Sequence, residues 1–539
     1  MSDAALYWLP PASDWRATLA ALRAEEDDAK LWEALAAAAR MRLDFVQTQQ
    51  LDRLIQTRFA LAAPARLTTQ SVRLAVLASS TVDHLLPSIR VAGLRHGLWV
   101  QTYTNAYGQY LQELHDPQSG LYQFQPSSVL VALDARHVLG RPISAVAASD
   151  ATDETERILD HLQAIWSLVA EKIDASVVQQ TFLPIFPPLV GGNEQRLGSS
   201  AAAILSQVNH GLRKRADASK VNLLSIDAKA AQLGLGAWHD PVLWHRAKQE
   251  IHPSAAPLYG DLFARLAAAK QGRSSKCLVL DLDNTLWGGV IGDDGLDGIT
   301  LGQGSALGEA HLELQHYALA LSQRGVILAV CSKNDEDVAM SAFKDHPEMA
   351  LCPEHIAAFV ANWDDKASNL RRIADDLNIG IDSLVFVDDN PFERNIVRRV
   401  LPQVWVPELP DDAALYTNCL ADAGFFEAVE LTREDFERSG QYQKNRKREE
   451  LRQSSTDLTG YLKSLSMKLH WKHFDQVGLQ RTVQLINKTN QFNLTTTRYS
   501  ESEVVTVMDN PKAFGLQLRL LDHFGDNGII AIVIGVPEG

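Results

Sequence analysis

The chain has 539 residues, is 46% apolar and 22% charged, and carries a formal net charge of −15. That length and composition are those of a globular protein of about three domains, each with its own core. The negative balance argues against nonspecific binding to nucleic acid, and no apolar run approaches the ~20 residues of a membrane span.

Residues 1–65 read as a helical segment. Leu19, Leu22, Leu31, Leu35 and Leu43 recur at near-helical spacing amid Ala and Glu, a packing stripe. Asp3, Asp14 and Arg16 interrupt the apolar patches near the start, so no signal peptide is expected. From Ser71 the pattern changes. VRLAVLASS, VLVALD (129–134) and VNLLSID (221–227) read as strands, with helical stretches such as Glu154 to Ile173 between them. An α/β domain over 66–270 follows from that alternation. FLPIFPPLVGGN and HPSAAPLYG are loops, and AAAKQGRSSK (267–276) is a linker.

The next domain, 271–412, carries the most informative run, CLVLDLDNTLWGGVIGDDG (277–295). Cys277 to Leu280 reads as a buried strand. Asp281 and Asp283 follow at its end, and a spacing of two in extended backbone points both carboxylates the same way. Like charges so close repel, and a hard cation such as Mg²⁺ relieves them. One carboxylate then suits a nucleophile and the other a proton donor. Three later strand-like runs also end in polar residues. VILAV (326–330) leads to Cys331-Ser332-Lys333-Asn334, Ala357 to Val360 leads to Trp363-Asp364-Asp365-Lys366, and LVFV (384–387) leads to Asp388-Asp389-Asn390. Alternating β and α units predict a parallel sheet with its site at the strand C-termini. Gly288, Gly289, Gly292, Gly295 and Gly298 suit either a mobile flap or a plain turn segment, too short for a large cap. A last α/β segment is expected over 425–539, entered by a charged helix from Leu431. Its GIIAIVIG (528–535) reads as a buried strand.

Cys277, Cys331, Cys352 and Cys419 show no CxxC pairing, which argues against zinc and disulfides and fits a reducing cytoplasm. Cys331, directly before Ser332, has two readings. It is either an acyl-accepting nucleophile, aided by Lys333 or a cation, or a small buried residue at a strand end.

The motif set resembles the haloacid dehalogenase superfamily. Asp281-Leu282-Asp283-Asn284-Thr285 matches its DxDxT motif, Ser332 the phosphate-binding second motif, Lys366 the third, and Asp388 with Asp389 the acidic fourth. DLDNTLWGGVIGDDG, CSKND, FVDDNPFER and KTNQFNLTTTR narrow the likeness to the FkbH family. The resemblance implies a multidomain α/β protein. It would comprise a haloacid dehalogenase-like Rossmannoid parallel sheet, an upstream SGNH-like domain and a C-terminal acetyltransferase-like domain. It implies Asp281 as nucleophile, Asp283 as acid and base, and Mg²⁺ held by Asp281, the Asp283 carbonyl and Asp388, with Asp389 behind them. Asn284, Thr285, Ser332, Lys333, Asn334 and Lys366 would bind substrate, with Lys333 the rival of Lys366 for the cationic role.

The family loads three-carbon acyl units onto carrier proteins in polyketide pathways. The implied reaction takes 1,3-bisphosphoglycerate to a glyceryl thioester on the phosphopantetheine arm of an acyl carrier protein, with loss of phosphate. Two alternatives are a simple phosphatase of a small metabolite and a non-catalytic docking scaffold. In the SGNH-like domain, Ser79 and Gly108 match the first blocks, but the Gly-x-Asn-Asp block is missing and Asp240 and His245 are five apart. A scaffold or docking surface is therefore expected there rather than a hydrolase. In the tail, Gln484, Lys488, Asn490, Gln491 and Asn493 around Phe492 suggest a substrate- or partner-facing element. The Gly-rich loop for coenzyme A is missing after residue 535, so either the natural chain continues or coenzyme A is not a ligand.

Overall fold

The computed structural model describes residues 6–59, 70–140, 148–431, 435–436, 452, 458–476, 478–488, 497 and 499–537. The chain divides into two units, Met1–Ala268 and Ala269–Gly539. Both are built on parallel sheets, the mixed α/β architecture that the alternating pattern predicts.

In the first unit, five parallel strands lie in the order β2-β1-β3-β4-β5. They are β1 (Gln70–Ala78), β2 (Leu98–Thr104), β3 (Ser128–Ala132), β4 (Ser176–Gln180) and β5 (Asn222–Leu224). Strand order reverses between β1 and β3, and Ser79 and Asp134 follow those two strands on the carboxyl side of this switch point. The N-terminal helices Trp15–Ala24, Asp28–Ala39 and Phe45–Phe59 begin where polar residues cap them. Asp14 and Asp27 accept hydrogen bonds from the first-turn amides of the first two. Their leucine stripe, with Trp32 and Phe59, packs against Val91, Leu94 and Trp99. Each such leucine, fully buried, contributes about 1.5–3 kcal/mol, so this segment is bound into the first unit by its core.

In the second unit, four parallel strands lie in the order β8-β7-β6-β9. They are β6 (Cys277–Leu280), β7 (Ile327–Ser332), β8 (Ile356–Ala361) and β9 (Leu384–Val387). The central strand β6 is fully buried, which explains its unbroken apolar run. Register matters most for function. Leu280 lies opposite both Val330 and Val387. Asp281, the start of the Ser332 loop and Asp388 therefore emerge level with one another. The Asp281 amide still pairs with the Val387 carbonyl at 2.9 Å.

Farther along the second unit, β10 (Lys468–His473), β11 (Phe514–Asp522) and β12 (Gly525–Gly535) form an antiparallel sheet. A small core of Leu479, Ile486 and Val504 joins it to two helices. GIIAIVIG forms a strand as expected, but not a buried one, for Ile530 and Val533 are exposed. An apolar run cannot tell how many layers cover a sheet. The charged stretch after Leu431 lies almost wholly outside the described residues, as do Asn490, Gln491, Phe492 and Asn493. Gln484 and Lys488 fall in the helix Leu479–Lys488, but their side chains are outside the description too. Among the described residues, no helix is long and apolar enough to cross a membrane.

Candidate active site at the carboxyl edge of the second sheet

Carboxylate oxygens of Asp281, Asp388 and Asp389 lie within 4.8 Å of one another. Asp281 and Asp388 are buried and Asp389 is half-buried. Burial, and then the charge of Asp281, push the carboxyls of Asp388 and Asp389 above the ordinary carboxylate range. Lys366 opens the helix Lys366–Asp376 and reaches back into this cluster. Its Nζ lies 2.9 Å from Asp281 Oδ2 and 2.5 Å from Asp388 Oδ2. Burial alone would lower its pKa, but the two carboxylates outweigh burial and push it above the usual lysine value.

One ammonium does not balance three carboxylates. Asp281 Oδ1 is buried and has no hydrogen-bond partner. An excess of hard oxygen donors with one orphaned lone-pair carrier fits a divalent cation of the Mg²⁺ type. The Asp283 side chain is not part of this set. Its Oδ1 accepts from Trp287 Nε1 and from the Ile291 amide, both at 3.0 Å, and its Oδ2 from Asn334 Nδ2 at 2.9 Å. As a metal ligand Asp283 is thus left with its main-chain carbonyl, the atom the motif implies.

Several expected substrate contacts are internal braces instead. Asn284, at φ 53°, accepts from the Gly289 amide and closes the turn, and it makes no bond to Asp281. Thr285 is fully buried, and its Oγ1 accepts from the Asp389 amide at 3.2 Å, fixing the acidic loop. Asn334 is buried and gives its second N–H to Ser332 Oγ at 3.2 Å. Lys333 donates to Glu393 at 2.6 Å, so Lys366 is the cation at the cluster. Ser332 lies at the end of β7, level with the acidic cluster.

Cys331 is where the nucleophile reading fails. The side chain is fully buried in the apolar core with Val279, Val360 and Phe386. Its Sγ lies 3.9 Å from the Lys366 carbonyl, and burial pushes the thiol up to about 12. A neutral thiol on the core side of the strand is a poor acyl acceptor. Cys277 is likewise core, Cys419 is buried, and Cys352 is exposed.

Between Asp283 and the helix Ala306–Gln323 there is only a short bonded loop. Gly288 and Thr300 exchange both backbone hydrogen bonds, and one short helix, Ile291–Asp294, lies inside. Trp287 and Arg394 escaped the sequence reading. Arg394 Nη1 donates to the carbonyls of Asp388 and Asp389 at 2.9 and 2.6 Å, and Nη2 to Glu408 at 2.7 Å. The one signal for it is an arginine in the first turns of the helix that follows the acidic pair.

The family described as "FkbH, N-terminal domain" matches residues 73–259. The N-terminal part of the protein BF1531 from Bacteroides fragilis, a structure containing a phosphatase domain complexed with Mg, matches with a TM-score of 0.63 at 32% identity. That match covers 74% of this chain and 99% of the other. The chain belongs to the FkbH-like family. Lower scores come from a lipase/acylhydrolase from Enterococcus faecalis (TM-score 0.26, 9% identity, 37% of this chain and 96% of the other). The acetyl xylan esterase AlAXEase scores similarly (TM-score 0.25, 13% identity, 36% and 98%). No curated protein matches the chain.

In the first unit of this FkbH-like chain, Ser79 is buried and donates to Asp134 Oδ2 at 2.6 Å, and the Asp134 amide returns a bond to Ser79 Oγ at 2.8 Å. The hydroxyl proton is committed to a carboxylate, not to an imidazole. Asp240 caps the helix Pro241–Ala247 through the Val242 amide, and His245 is exposed on that helix. The buried histidine of the region is His239. Its Nδ1 donates to the Glu250 carbonyl at 2.7 Å, which leaves Nε2 as an acceptor without a partner.

Proposed function

We propose that the second unit is a Mg²⁺-dependent phosphatase in which Asp281 takes the phosphoryl group and Asp283 protonates the leaving oxygen. The observation that carries this reading is the buried, unpartnered Asp281 Oδ1 beside two further carboxylates and the Lys366 ammonium. Lys366 offsets the charge of the incoming phosphate, and Ser332 offers it a hydroxyl at the end of β7. Arg394 and Thr285 hold the Asp388–Asp389 loop in place. A cation held by Asp281, Asp388 and Asp389 would supply electrostatic relief between carboxylate and phosphate. The Mg in the Bacteroides fragilis structure supports that choice of cation.

Within this family reading, the substrate is 1,3-bisphosphoglycerate and the acceptor is the thiol of a carrier protein's phosphopantetheine arm. The buried Cys331 favours direct attack of that thiol on the acyl phosphate, without an enzyme thioester. The short 284–305 segment leaves room for a long arm rather than a cap. The same burial also supports a second reading, a simple phosphatase of a small metabolite with no acyl step. Intact-mass measurement of a carrier protein incubated with the chain, Mg²⁺ and 1,3-bisphosphoglycerate separates them. A glyceryl adduct on the arm supports transfer. Phosphate release with an unmodified carrier supports the simple phosphatase.

A further inference from the structure

The Asp283 carboxylate is held more completely than a proton donor at the edge of a cleft requires. A carboxylate offers about four acceptor sites, two on each oxygen. Trp287 Nε1 and the Ile291 amide fill both sites on Oδ1, at 3.0 Å each. Asn334 Nδ2 fills one on Oδ2, at 2.9 Å. An indole N–H and a backbone N–H can only donate, so Oδ1 is an acceptor at all times. The donors are themselves fixed. Trp287 is fully buried and packs edge-on against Phe343, with ring centroids 6.2 Å apart. Asn334 is buried, and its other N–H is taken by Ser332.

We propose that Trp287 and Asn334 are positioning residues for the reaction, aiming Asp283 so that one acceptor site, on Oδ2, remains for the transferred proton. The inference rests on the reading of Asp283 as proton donor. Two of the three donors, Trp287 and Ile291, belong to the loop that follows Asp283. The conformation of that loop and the orientation of the acid are therefore set together, while Asn334 ties the acid to the Ser332 strand end. In the first step, the phosphorus–oxygen bond to the leaving group breaks as the bond to Asp281 forms. The proton on Asp283 Oδ2 passes to the departing oxygen, and Asp283 is left as the carboxylate that the three N–H donors hold.

The test uses the full chain, saturating Mg²⁺ and two monoesters, a primary alkyl phosphate and 4-nitrophenyl phosphate. The alkyl leaving group needs a proton, and nitrophenolate does not. Trp287→Phe keeps the ring and loses only the N–H, and Asn334→Ala loses the second clamp. In a single turnover, each is expected to lower the rate of phosphoryl transfer from the alkyl ester to Asp281 by about 10–100-fold, within what a positioned general acid supplies. The fall on 4-nitrophenyl phosphate should be under about 3-fold. In an Asp283→Asn background, adding Trp287→Phe should cost nothing further, which a merely structural role would not produce. Equal losses on both esters, or full additivity with Asp283→Asn, overturn the inference. If Asp283→Asn slows formation of the Asp281 adduct alike from both esters, or wild type forms it from neither, the proton-donor reading has failed instead. A Trp287→Phe protein that does not fold, judged by its thermal transition, also overturns it, since the N–H would then be structural.

Discussion

Asp281→Asn and Lys366→Met should move stability in opposite directions, although both should abolish turnover. Without a cation, three carboxylates share one ammonium. Replacing Asp281 by Asn removes one crowded buried charge and leaves Lys366 paired to Asp388 at 2.5 Å. Relief of the repulsion that Asp281 exerts on Asp388 and Asp389 should gain about 1 kcal/mol. Replacing Lys366 by Met keeps the volume but strips the ammonium paired to both carboxylates. At an effective dielectric of about 20, ammonium contacts of 2.9 and 2.5 Å are worth about 6 and 7 kcal/mol gross. Desolvation of the lysine cancels much of that, and removing one partner of a buried pair costs about 3–5 kcal/mol. Mg²⁺ at about a hundred times its Kd should return up to about 2.7 kcal/mol to the Lys366→Met protein. Amide hydrogen exchange in peptides spanning β6 and β9, with and without Mg²⁺, reads this unit alone. If both variants shift protection in the same direction, or Lys366→Met changes it by less than about 1 kcal/mol, the electrostatic account of the cluster is wrong.

Cys331→Ala should leave phosphate release within a few-fold of wild type and lower stability by about 1–2 kcal/mol through a small cavity. Alkylation of the native protein should label Cys352 and spare Cys331, and labelling of Cys331 first would contradict its burial. Ser79→Ala should destabilise the first unit by about 1–3 kcal/mol, because Asp134 loses a buried donor. Phosphate release should not change, and an aryl esterase activity lost in this variant would reveal a second enzyme. Glu250 is fully buried, and burial and then Asp134 push its carboxyl up to about 8. A carboxyl raised on folding favours the native state while protonated, so its contribution fades as pH rises from the ordinary carboxylate range to about 8. Exchange protection in β3 and β4 should fall over that window in wild type and stay flat in Glu250→Gln.

Much of the second sheet was legible because its strands are short apolar runs that end abruptly in polar residues. Register then brings those ends level, and no sequence pattern is needed to place Asp281 beside Asp388. The choice of Lys366 over its rival Lys333 came from the motif match and not from spacing. Both follow strand ends, and only the partner Glu393, a helix away, shows that Lys333 is already engaged. Cys331 was legible in principle. In an extended strand it must face opposite to Ser332, and the Ser332 side is the one that meets Asn334 and the acid. Thr285 and Asn334 have the residue types of phosphate ligands, and tertiary bonds turned them into braces. Trp287 was not singled out, since nothing in the sequence shows that its N–H reaches a carboxylate four residues back. The exposed face of β12 was misjudged for a related reason. Hydrophobicity reports what a segment would bury, not what is there to cover it.

The central claim is that Asp281 carries the phosphoryl group. Rapid acid quench of the Mg²⁺-loaded protein during turnover, followed by peptide mass mapping, tests it most directly. A hydroxylamine-labile phosphoryl adduct should appear on Asp281, in the peptide containing β6, and vanish in Asp281→Asn along with phosphate release. An adduct on another residue, or continued phosphate release by Asp281→Asn, would contradict the account.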